Sequence, residues 1–186
     1  MKLEKIRYVA FLRGINVGGH HKVPMAELRK EMENLKFENV VTLLNSGNII
    51  FDTMADDLEH LANTISEHLE KVFGFPIPTI LRTSEMIYGL IKKNPFKDII
   101  LSKDIQLYVS FLRKDTETKL QLPWSNFDDS YKIISYIDKT ILSVVDISVT
   151  KIPKGMETLE KNYGTDITTR NWNTIKRIEK KLEDIR

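Results

Sequence analysis

The chain has 186 residues, 41% apolar and 29% charged, with a formal net charge of +2, enough for one full domain or two tightly joined small ones. It has no cysteine, which excludes disulfides, zinc–thiolate sites and thiol catalysis and suits a reducing compartment. The start, Met1-Lys2-Leu3-Glu4-Lys5, lacks the apolar run of a signal peptide, and no stretch approaches the roughly 20 apolar residues of a membrane span, so a cytoplasmic protein without a membrane partner is expected.

In chain order, Lys5–Leu12 is rich in β-formers and reads as a strand. A helix is expected from Pro24, a favoured first helical residue, with Met25, Leu28, Met32 and Leu35 on one face. Residues 40–44 and 48–52 read as two strands around the turn signal Ser46-Gly47. A second helix follows a cap at Asp56 or Asp57. Its stripe is Leu58, Leu61, Ile65, Leu69 and Val72, and Gly74 sits where a C-terminal stop belongs. Residues 77–82 form the next strand. The order β-α-β-β-α-β is the split βαβ plan of ferredoxin-like domains.

A similar order recurs after a short helix over Ser84–Lys92 and the breaker Asn94-Pro95. Strands are expected at Ile105–Leu112, Tyr131–Ile137 and 141–147, with a short helix at 116–122 and another near 154–162. The segment Thr168-Thr169-Arg170-Asn171-Trp172-Asn173-Thr174 reads as the opening of a last helix, capped by Thr169 or Asn171, whose stripe is Trp172, Ile175, Ile178, Leu182 and Ile185. The repeat is read as one of pattern, without residue-by-residue identity between the halves. The expected fold is α+β: two fused ferredoxin-like lobes with antiparallel sheets, residues 1–83 and 84–186, and an extra C-terminal helix.

The most informative stretch is Arg13-Gly14-Ile15-Asn16-Val17-Gly18-Gly19-His20-His21-Lys22, which joins the first strand to the first helix. Glycines allow a sharp corner and bring bare N–H groups close to a ligand, and a helix start attracts anions through its orphan N–H groups and macrodipole. Lys22 adds a point charge and Arg13 a fork for phosphate or carboxylate. The spacing is neither a P-loop nor a dinucleotide fingerprint, and a purely structural corner is the competing reading. Charge is uneven along the chain. Residues 1–30 carry seven Lys/Arg against two acids and residues 151–186 nine against six, while the middle is acidic. The candidate ligand-binding residues are Arg13, Gly14, Asn16, Gly18, Gly19, Lys22, Ser46, Asn48 and Arg170. Ser46 and Asn48 equally suit turn chemistry, and Arg170 equally suits pairing with an acid.

His20 and His21 are sequence neighbours whose side chains point apart, and no third ligand stands at metal spacing, so no metal is expected. His60 and His68 read as solvated helix residues. Ser46 lies in no Gly-x-Ser-x-Gly elbow and has no assignable base, which argues against a serine hydrolase. Tyr8, Phe11 and Phe51 could serve a sheet that stacks RNA bases, but the basic-aromatic pattern of an RNA-recognition motif is missing and core filling is favoured. Trp172 is likewise read as core.

Together, Arg13-Gly14-Ile15-Asn16-Val17-Gly18-Gly19, Lys22-Val23-Pro24-Met25, Ser46-Gly47-Asn48 and Thr168-Thr169-Arg170-Asn171-Trp172 resemble a bacterial family known as domain of unknown function 1697 (DUF1697). The resemblance covers almost the whole chain and implies two α+β lobes of ferredoxin-like type, without an established activity. One departure is His21, where members of the family often carry asparagine.

The leading expectation is a binding protein for a small anionic or phosphate-bearing ligand at the 13–22 loop, with no cofactor. A nucleic-acid-binding module using the basic segments is the alternative. An enzyme of unassigned transfer chemistry is a second alternative, disfavoured because no nucleophile–base pair can be assigned. A self-associating structural protein is the remaining option, and the oligomeric state is open.

Overall fold

The computed structural model describes residues 4–117 and 120–185, leaving aside the side chains of Ile152 and Pro153. Two compact units divide the chain, one of Met1–Gly89 with Lys181–Arg186, the other of Leu90–Lys180.

The first unit is built from β1 (Lys5–Leu12), α1 (Met25–Asn34), β2 (Glu38–Leu43), β3 (Asn48–Met54), α2 (Leu58–Phe73), β4 (Thr79–Thr83) and the start of α3 (Ser84–Lys92). Its sheet has the order β2-β3-β1-β4 with every pair antiparallel, the ferredoxin-like arrangement expected from the element order. Strand alternation puts Tyr8, Ala10 and Leu12 of β1 on one face with Ile49 and Phe51 of β3. The stripes of α1 (Leu28, Met32) and α2 (Leu61, Ile65, Leu69) close over that face. Tyr8, Phe11 and Phe51 are all buried, in keeping with the core reading. The α2 ends follow the sequence signals. The Asp57 side chain accepts from the N–H groups of Glu59 and His60, and Gly74 terminates the helix at φ 80°.

The second unit holds β5 (Ile105–Leu112), β6 (Trp124–Ser125), β7 (Tyr131–Ile137), β8 (Thr140–Asp146), α4 (Ile152–Tyr163), β9 (Ile167–Asn171) and most of α5 (Trp172–Asp184). Its antiparallel sheet has the order β6-β7-β8-β5-β9. Two expectations change here. Of the short helix expected at 116–122, residues 118 and 119 lie outside the described residues, and the rest carry no helix. Leu120, Leu122 and Trp124 instead pack against the core of Tyr108, Leu112, Tyr131, Ile133 and Leu159, so a non-helical segment supplies the apolar cover that a helix supplies in the first unit. The residues before α5 are a strand rather than a helix opening. β-Branched Ile167, Thr168 and Thr169 suit a pleated backbone, and β9 pairs with β5. Asn171 does cap α5, its Oδ1 accepting from the Asn173 N–H at 2.9 Å.

The register also overturns the reading that the repeat lacks residue identity. Tyr8-Val9-Ala10-Phe11-Leu12-Arg13 and Tyr108-Val109-Ser110-Phe111-Leu112-Arg113 occupy the same place in the two sheets. Leu12 N–H donates to Gly47 O and Leu112 N–H to Lys139 O, both at 2.8 Å. Arg13 N–H donates to Pro78 O and Arg113 N–H to Asp166 O. The last strand of each unit runs directly into a helix: β4 into α3, and β9 into α5. The two halves are copies of one plan.

Candidate functional site

The loop leaving β1 is shaped by positive backbone angles at Gly14, Asn16, Gly18, Gly19 and His21. Gly18 (φ 59°) and Gly19 (φ 80°) are the two central residues of a tight turn closed by His20 N–H on Val17 O at 3.0 Å, the geometry for which paired glycines are suited. One step further out, Asn16 N–H donates to His21 O at 3.0 Å. The stretch 16–21 is therefore a miniature hairpin rather than an open cradle.

Asn16 holds this hairpin to the body. Its Oδ1 accepts from Val23 N–H at 2.9 Å, and its Nδ2 donates to Val23 O at 3.0 Å and to Asn45 O at 2.9 Å. Ile15 and Val23 sink into the core on either side. The His21 ring stacks on Phe75 with centroids 4.3 Å apart, and its Nδ1 lies 3.2 Å from Gly14 O. His21 thus makes an aromatic contact at the neck of the loop.

The Ser46-Gly47-Asn48 turn serves the same architecture. Asn48 is fully buried, and its Nδ2 donates to Leu43 O at 2.9 Å and to Ser46 Oγ at 3.0 Å. Gly47 has φ 76° and sits so close to the loop that an added Cβ would lie 2.7 Å from Ile15 Cδ1 and 2.8 Å from Leu12 Cβ. Both features require glycine.

Between the loop, the turn and the start of α1 lies an open hollow of about 430 Å³, lined by Asn16, Gly19, Lys22, Val23, Pro24, Met25 and Asn45. Pro24 is the N-cap residue of α1 and gives it no side-chain cap. Lys22 is exposed and forms no ion pair among the described residues. Of the expected residues, Asn16, Gly19 and Lys22 line this hollow, while Arg13, Gly14, Gly18, Ser46 and Asn48 are not in its wall. Sequence reasoning missed Asn45, whose one available signal was its place just ahead of Ser46-Gly47.

Arg170 belongs to the second unit, on β9 opposite Val109. It is buried, and its Nη1 donates to Thr168 Oγ1 and Thr169 O, both at 2.9 Å. Burial pulls its pKa down to about 10, which still leaves the guanidinium charged at neutral pH.

Among the described residues no group of three or more His, Asp or Glu is placed to hold a metal ion. His60 pairs with Asp56 at 2.8 Å, and the hydrogen bond to that carboxylate raises the His60 pKa. His68 Nε2 lies 2.9 Å from Glu31 Oε2. No helix among the described residues is long and apolar enough to cross a membrane.

The chain is similar over 96% of its length to a solved structure, the conserved bacterial protein SP0830 from Streptococcus pneumoniae, at 25% identity and a TM-score of 0.68, with 99% of that protein covered. No curated protein matches it. The profile of a family described as protein of unknown function (DUF1697) matches residues 6–141, a span that includes the glycine loop, the Ser46-Gly47-Asn48 turn and β5 through to the start of β8. The chain therefore belongs to the DUF1697 family.

Proposed function

We propose that the protein binds a small anionic or phosphate-bearing ligand in the hollow ahead of α1. The observation that carries this reading is the coincidence, at one opening, of the start of the ten-residue helix α1, which has no side-chain cap, and Lys22, which has no ion pair among the described residues. The first-turn N–H groups of α1 would donate to the anion, Lys22 would balance its charge, and Gly19 would admit it close to the backbone. Asn16 would act through the loop it anchors. Arg13, Gly14, Gly18, Ser46 and Asn48 would shape the rim, and Arg170 would have a structural role in its own unit. A cytoplasmic setting, rich in phosphate esters, suits this assignment.

Thermal unfolding with inorganic phosphate and a panel of phosphate monoesters and carboxylates tests the reading. At a ligand concentration of about 100 Kd, binding should stabilise the protein by roughly 2.7 kcal/mol, and Lys22→Ala should reduce the response. A wild type that no anion stabilises, or a Lys22→Ala variant that responds equally, overturns it. The basic segments keep nucleic acid as the second reading, although burial of Tyr8, Phe11 and Phe51 withdraws the aromatics that would stack bases. Oligonucleotide binding that falls steeply with salt would favour that alternative.

A further inference from the structure

The second unit contains a larger cavity, of about 770 Å³, independent of the hollow ahead of α1. Its volume falls within the range of roughly 300–1,000 Å³ typical of small-molecule sites. It lies between residues 91–103, the start of β5 and the first turn of α5. Phe96 and Trp172 meet edge to face with centroids 5.2 Å apart, and Ile99, Leu101 and Ile105 extend the apolar wall.

Three lysines, Lys97, Lys103 and Lys176, stand in the same wall. All three are exposed, and none forms an ion pair among the described residues. The lining contains no acid: Asp98 and Asp104, the carboxylates of the adjoining loop, are not part of it. Gln106 and Asn173 add carboxamides, the Gln106 Oε1 accepting from Asn171 Nδ2 at 3.2 Å. Like charges gathered around a partly apolar concavity whose wall holds no carboxylate raise a positive potential there.

We propose that this cavity binds an amphiphilic organic anion, its carboxylate or phosphate among Lys97, Lys103 and Lys176 and its apolar body against Leu101, Ile105 and the Phe96–Trp172 pair. Lysine supplies a movable point charge rather than a planar fork, so the site selects for charge joined to an apolar body more than for one anion geometry. The carboxamides of Gln106 and Asn173 orient polar substituents on that body.

The test is a titration of the full chain, labelled with ¹⁵N, by 1-naphthyl phosphate, 2-naphthoate, neutral 1-naphthol and inorganic phosphate. The two aromatic anions should give saturable amide shifts at residues 94–107 and 171–176, separate from any response at residues 14–24, with weaker binding of 1-naphthol and of phosphate alone at the same residues. Lys97→Ala/Lys176→Ala should weaken the aromatic anions by about tenfold or more, the loss expected for charge-assisted contacts, at an unchanged melting temperature. Lys22→Ala should leave the affinity read from residues 94–107 and 171–176 at the wild-type value, even where it weakens a response at residues 14–24, which separates this cavity from the hollow ahead of α1. Should the double alanine variant melt lower, Lys97→Gln/Lys176→Gln carries the same comparison. Shifts confined to residues 14–24, 1-naphthol binding as tightly as the anions, wild-type affinity in the double variant, or no saturable shift with either anion overturns the proposal.

Discussion

Arg82 and Arg170 hold the same position in the two sheets, Arg82 opposite Val9 and Arg170 opposite Val109. Both are buried, and each folds its Nη1 back onto the carbonyl of the residue before it, Leu81 O at 2.8 Å and Thr169 O at 2.9 Å. A long cationic side chain so placed contributes through its packed stem as well as its hydrogen bonds. Arg82→Ala and Arg170→Ala should therefore destabilise alike, each by about 2–4 kcal/mol in urea unfolding, because each leaves a cavity and an orphaned buried acceptor. A large loss from one and none from the other would mean the shared register does not carry a shared role.

Gly47 is the point where the turn meets the loop. Gly47→Ala forces a left-handed alanine and sets its methyl against Ile15 and Leu12, with a combined cost of about 2–4 kcal/mol. Gly18→Ala, with φ 59° and open space around it, should cost only about 1–2 kcal/mol, from the backbone alone. Denaturation midpoints of the two variants measure the difference, and equal midpoints would remove the close-approach argument.

Asn16 ties the hairpin's return to the β2–β3 turn through bonds to Val23 and Asn45. Asn16→Ala should cost about 1–3 kcal/mol and speed hydrogen exchange at the Val23 amide, which loses its acceptor. Asn16→Asp keeps that acceptor but loses both donated bonds, so Val23 should stay more protected than in the alanine variant. Equal exchange in the two variants would show that the Oδ1 contact is not what protects Val23.

Asp52 gives the fold an acid-sensitive pair. Burial pushes its carboxyl pKa up, but hydrogen bonds from Arg7 and Asn39 and the Arg7 charge outweigh that and hold it below the ordinary value. The pair is bidentate, Arg7 Nε to Oδ1 at 2.7 Å and Nη2 to Oδ2 at 2.8 Å. A carboxyl depressed on folding contributes stability that is complete above its unfolded pKa of about 3.9 and is lost as pH falls through the folded value. The stability gap between wild type and Asp52→Asn should be full at neutral pH and shrink towards pH ~2. A gap that does not change with pH would mean the Asp52 charge contributes nothing.

The features legible in residue order are local. The periodicities of β1, α1 and α2, the Asp57 cap and the Gly74 stop depend on neighbours within a turn or two, so residue order alone displays them. The same holds for Pro24 ahead of α1 and for the corner made by Gly18-Gly19. Family likeness, too, was legible in the glycine loop and the turn at Ser46-Gly47-Asn48.

Features that depend on partners far along the chain emerge only on folding. β9 looked like the entrance to a helix until pairing with β5, 59 residues away between Ser110 and Thr169, made it a strand. The Tyr-Val-x-Phe-Leu-Arg repeat became visible only when register aligned β1 with β5. Arg170, a candidate for a ligand or for pairing with an acid, points inward because strand alternation puts it on a buried row. Lys22 and Asn45, and separately Lys97 and Lys176, share cavity walls because chain segments distant in sequence return to one place. Hydrogen-bond periodicity is written in neighbouring residues, whereas burial and convergence are set by which strands pair, and pairing is a property of the whole chain.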